Sequence, residues 1–75
     1  MIHPQEVEAL IRAHIEGAQV KVLDPMDDGM HLQAVVISEK FAGLPLMKQH
    51  KMVMEAVREP LEGRLHALQI TTKTP

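Results

Sequence analysis

Five histidines carry most of the chemistry this chain has to offer: His3, His14, His31, His50 and His66. There is no cysteine, so the chain supplies no disulfide, no thiolate ligand and no cysteine nucleophile. Imidazole is then the side chain that best combines metal ligation with proton exchange near neutral pH. His14 and His50 fall on apolar helical stripes and read as structural, while His3 is terminal. His31 and His66 are different. Each opens a run of alternating apolar residues, and His31 follows Asp27 and Asp28, whose carboxylates could orient a ligating imidazole. These two are the histidines that the sequence sets apart.

Other constellations fail on counting. Taking Asp24 as the first position of a calcium loop puts Asp28 and Gly29 where an EF-hand needs them. The third position is then Met26 and the twelfth Val35, and strands rather than helices flank the loop. A solvated turn is the better reading. Ser38 is the only serine and has no base beside it, and adjacent Asp27 and Asp28 need not face a common substrate. No catalytic site emerges, which argues against a self-contained enzyme. The six methionines read mainly as adaptable core, with Met26 and Met30 set apart by their polar loop.

The elements that must position the histidines follow from the apolar periods. Val7, Leu10, Ile11 and His14 have helical spacing, with Pro4 suited to the first turn and Gly17 to the stop. Val20 and Val22 alternate with polar residues, and after the turn-rich 24–29 a second strand spans 31–38. Its 34–37 run, Ala-Val-Val-Ile, predicts a central strand covered on both faces. Residues 41–45 form a connector. A second helix follows, its stripe made of Leu46, His50, Val53, Met54 and Val57. Pro60 and Gly63 end that helix region, and 64–72 reads as a third strand.

The expected architecture is one α+β domain over 1–75, ordered α-β-β-α-β, with a three-stranded mixed sheet. The first two strands pair as an antiparallel hairpin. The third returns through the long helix and pairs parallel to the second. The starts of strands two and three then lie at one end of the sheet, so His31 and His66 become neighbours beside the acidic loop.

Composition sets the outer limits. The chain has 75 residues, 45% apolar and 24% charged, with net charge −2, so its overall field does not favour nucleic acid or anionic lipid. Phe41 is the only aromatic, which nearly excludes base-stacking platforms. No apolar run approaches the roughly 20 residues of a membrane span. The first residues lack the basic and apolar regions of a signal peptide, so a cytoplasmic location is expected.

Read together, 28–32 (Asp-Gly-Met-His-Leu), 35–43 (Val-Val-Ile-Ser-Glu-Lys-Phe-Ala-Gly), His50, 64–68 (Arg-Leu-His-Ala-Leu) and the final Thr74-Pro75 resemble the BolA family. The match looks closest to its short IbaG-like (YrbA-like) members. No single piece is specific; the ordered set is, and it covers essentially the whole chain. The resemblance implies a fold related to the type II KH domain. It also implies partnership with a monothiol glutaredoxin through a bridged [2Fe-2S] cluster. The family's C-terminal histidine maps onto His66, and the ligand of its variable hairpin loop onto His31.

Histidine in place of thiolate raises the potential of a [2Fe-2S] centre. A chain without cysteine binds no such cluster alone; thiolates of the glutaredoxin and of glutathione must complete it. Ligation needs neutral imidazole, so acidification toward pH ~6 is expected to weaken it. The alternative implied by some relatives is DNA-binding regulation, with Lys48, Lys51 and Arg58 as the basic face. A KH domain clamps phosphates with a GxxG loop. Here that loop reads Gly43-Leu44-Pro45-Leu46, so one glycine and one amide donor are missing. DNA binding should therefore be weak and steeply salt-dependent. Homodimerisation is left open.

Overall fold

The computed structural model describes residues 2–58 and 67–75. Helix α1 spans Pro4–His14, with proline in its first turn and Val7 and Ile11 buried. An isolated helix of 11 residues is marginal in water, so docking of this face holds it. Ile2 and Ile15, just outside the helix, are also fully buried and extend its contact with the core. Gly17, at φ +82°, turns the chain into the sheet.

Strand β1 is Gln19–Leu23, β2 is His31–Ile37 and β3 is Ala67–Lys73, in sheet order β1-β2-β3. β1 pairs antiparallel with β2, and β3 pairs parallel with β2, His31 opposite Ala67 and Ile37 opposite Lys73. The expected α+β order and mixed sheet are therefore present. The expected strand start at residues 64–66 lies outside the described residues.

Three expectations need correction. β2 is central, but only one of its faces is covered: Leu32, Ala34 and Val36 are buried, whereas Gln33 is exposed and Val35 and Ile37 are half-buried. A parallel neighbour on one side and a hairpin partner on the other leave helices to pack on a single face. On helix α2, Leu46–Val57, the buried residues are Val53, Ala56 and Val57. Leu46 and Met54 are exposed, so the helix is rotated from the stripe that spacing suggested. His14 is exposed too, its Nε2 4.0 Å from Glu55, and it is no core residue.

Phe41 is more than a connector. A 3-10 turn, Glu39–Phe41, carries it into the core, where it is fully buried among aliphatic residues. Ser38, also buried, caps this turn by accepting the Lys40 N–H on its Oγ and donates its own N–H to the Lys73 carbonyl. The single serine thus joins β2, the turn and the end of β3. Gln49 on α2 makes a similar junction. Its amide donates to the carbonyls of Phe41 and Leu44 and accepts from the Thr72 hydroxyl.

Candidate functional site

The hairpin loop 24–30 is built by two carboxylates. Asp24 accepts the backbone N–H of Asp28 at 3.2 Å and of Gly29 at 2.9 Å. It also receives the Asp27 N–H on its backbone carbonyl. Such side-chain closure of a turn explains why Asp27 and Gly29 can hold left-handed conformations, φ +53° and +67°. The Gly29 carbonyl in turn accepts the Ile2 N–H, tying the loop to the chain's start. Asp24 organises the turn, a role hidden in the sequence by its superficial fit to a calcium loop. Both of its oxygens already serve backbone amides.

Asp28 holds the next layer. One oxygen accepts the N–H of Met30 at 2.9 Å and of His31 at 3.0 Å, and the other lies 2.7 Å from His31 Nδ1. The bond from the Met30 amide, then the His31 ring, then the His31 amide, lower the carboxyl from an ordinary 3.8 to about 2. An ionised carboxylate can only accept, so Nδ1 carries the proton in this pair. In the neutral ring Nε2 is then the nitrogen with a lone pair for a metal. This is the carboxylate–imidazole arrangement that usually orients metal-ligating histidines. Asp28 supplies it, while its neighbour Asp27, an equal candidate by sequence, takes the left-handed turn position instead.

His31 is the first residue of β2, with 39% of its side chain exposed. It lines a depression of about 310 Å³ with Pro25, Met26, Leu32, Gln33 and Gln69. His66, the second candidate ligand, lies outside the described residues. The register nevertheless sets Ala67, the residue after it, directly opposite His31. Among the described residues, no group of three or more histidine, aspartate or glutamate side chains could hold a metal ion. The described part of the site is therefore one oriented imidazole, and any complete coordination sphere needs further groups.

The basic residues sit elsewhere. Lys48 and Lys51 are exposed on α2 and Arg58 follows it, also exposed. The loop before α2 offers little to a phosphate. The Leu44 N–H already donates to Phe41, Pro45 has none, and the Lys48 and Gln49 amides are taken by the Pro45 carbonyl. Among the described residues, no helix is long and apolar enough to cross a membrane.

Comparison with known proteins bears on this geometry. The family model for BolA-like protein matches residues 4–75. BolA-like protein 1 of Mus musculus is 38% identical over 80 residues, covering 92% of this chain and 58% of its own, so the chain spans a little over half of that relative. SufE-like protein 1 of Arabidopsis thaliana is 33% identical over 93% of this chain, a match that takes up only 19% of its own length. The solved structure of BolA1 from Arabidopsis thaliana superposes with a TM-score of 0.83 at 30% identity, covering 96% of this chain and 90% of that one. The family match over nearly the whole chain and the shared fold agree, and the chain belongs to the BolA-like family.

Proposed function

We propose that this protein is a non-enzymatic partner of a monothiol glutaredoxin in iron–sulfur cluster assembly, trafficking or sensing. His31 and His66 are the groups it offers to a bridged [2Fe-2S] cluster. The observation that carries this reading is the Asp28–His31 pair: a carboxylate held ionised by backbone amides, fixing the tautomer of an imidazole at the mouth of an open depression. A purely structural histidine on a strand end has no need of such a built support. Membership of the BolA-like family, and the occurrence of a related stretch within a SufE-like protein, fit an iron–sulfur-related role.

The donor set fits a shared cluster and not a resident one. With no cysteine in the chain, the partner and glutathione supply the thiolates. When bound, such a cluster supplies one-electron chemistry or a transferable iron–sulfur unit, its potential raised by histidine ligation. The chain's own contribution is orientation. Asp28 holds Nδ1, the hairpin hydrogen bonds hold Asp28, and the β2–β3 register brings the residue following His66 level with His31.

The test is anaerobic reconstitution of a monothiol glutaredoxin with iron, sulfide and glutathione, with and without this protein. The reading expects a heteromeric complex on gel filtration and a visible circular dichroism spectrum distinct from that of the glutaredoxin alone. No complex and an unchanged spectrum would overturn it.

A further inference from the structure

The two outer edges of the sheet are treated differently. On β1, the Val22 N–H donates to a Glu8 carboxylate oxygen at 3.0 Å and the Val20 carbonyl accepts from the Arg12 guanidinium at 3.2 Å. Glu8 and Arg12 also meet each other at 3.4 Å. Helix α1 thus occupies two outward backbone groups of β1 with charged side chains, a recognised way to stop an edge strand from recruiting another.

Among the described residues, nothing covers β3 in this way. Its Lys73 carbonyl points toward the β2 side, where it accepts the Ser38 N–H. Direction alternates along a strand, so Gln69 and Thr71 also face β2, and the N–H and C=O groups of Leu68, Ile70 and Thr72 point outward. Among the described residues, no hydrogen bond reaches those outward groups. The side chains tell the same story. Val20 and Val22 on β1 are buried, whereas Leu68 and Ile70, facing the same core, are only half-buried.

We infer that the outer edge of β3 pairs with the β3 of a second copy of this chain, antiparallel about a two-fold axis at Ile70. That register suits the strand in three ways. It sets Ile70 opposite Ile70 and Leu68 opposite Thr72, so every outward N–H meets an outward carbonyl. It joins the half-buried core-facing side chains of the two copies into one continuous layer. It also carries Lys73 of each copy to the level of Ala67 in the other, the sheet end that bears Asp24, Asp27 and Asp28. The result is a six-stranded sheet whose two His31 positions lie toward opposite ends. The pairing leaves His31, one strand further in on β2, out of the new strand contact, so the dimer is tested by association and the cluster reading by spectra.

Sedimentation velocity over a concentration series tests this on the full chain. The wild type should shift from monomer to dimer as concentration rises, with hydrogen exchange at the Leu68, Ile70 and Thr72 amides slowing in parallel. Gln69 and Thr71 are exposed in the single chain and face each other across the proposed axis. Gln69→Lys with Thr71→Lys sets like charges opposite one another, which disfavours pairing. That variant should stay monomeric with an unchanged far-ultraviolet spectrum. Mixing it with the Gln69→Glu, Thr71→Glu variant should restore the dimer. Ile70→Pro, which removes an outward N–H that the β2 ladder does not use, should also stay monomeric. A wild type that remains monomeric at every concentration reached, a dimer that survives the lysine changes, or a mixture that fails to pair would overturn the inference.

Discussion

The hairpin loop and the outer face of α2 both carry charge, but only the hairpin has been built around it. At the loop, Asp24 and Asp28 spend their oxygens on named backbone amides, and the remaining bond fixes His31. On α2, Lys48 and Lys51 stand exposed beside Leu46 and Met47, and in the preceding loop the Leu44 amide already donates to Phe41 and Pro45 has none to offer. Charge with internal hydrogen bonds defines a direction for a ligand. Charge without them defines only a local potential, which salt screens.

The largest effect on stability is expected at Asp24. Asp24→Ala strands two loop amides, and leaving partly buried donors unpaired costs on the order of 1–3 kcal/mol. Urea denaturation should show that loss, whereas Lys48→Ala in the same assay should stay within about 0.5 kcal/mol. Equal effects at the two positions would erase the distinction between the regions.

Asp28→Asn is a subtler probe. It keeps the shape of the side chain while removing the charge that holds the proton on His31 Nδ1. Nitrogen chemical shifts of the imidazole should move from a dominant Nδ1–H form toward a tautomer mixture. The pH dependence follows from the direction of the Asp28 shift. Its carboxyl is lowered on folding, so its contribution is fully present above the ordinary value of 3.8 and is lost as pH falls toward about 2. Wild-type hairpin amides should lose hydrogen-exchange protection across that window, and the asparagine variant should not show this step.

The smallest effect belongs to α2. Lys48→Glu with Lys51→Glu should leave stability and any histidine-dependent cluster spectrum within error. Whatever affinity the protein has for duplex DNA at low salt should disappear with it. DNA binding that survives the change would place the contact on another face.

What could be read from the sequence depended on how local its cause was. Pro4, Gly17 and the alternation around Val20 and Val22 mark their elements through backbone preference and period, and the structure keeps them. The parallel return to β2 followed from the helix that separates the two strands. Helix α2 shows where periodicity runs out. Leu46 and Met54 share a stripe with Val53 and Val57, yet Ala56 and Met52 join the packed side instead. Both faces satisfy a 3.6-residue period, and only docking against the sheet chooses between them. Ile2 and Ile15 carry no periodic signal because they lie outside any regular element. The Asp28–His31 bond is legible in kind, since an acid three residues before a strand-initial histidine can reach back to it. The role of Asp24 is not, because it is spent on backbone amides that no side-chain pattern reveals.

His31 as an oriented ligand is the central claim, and one substitution addresses it directly. The hydrogen-bonded loop positions this imidazole firmly, so His31→Ala should alter the visible circular dichroism of the cluster reconstituted with a monothiol glutaredoxin and hasten its loss. The fold should be spared, since changes at partly exposed positions stay mostly within about 1 kcal/mol. A spectrum and lifetime identical to those of the wild type, in a variant that still binds the glutaredoxin, would contradict the assignment of His31.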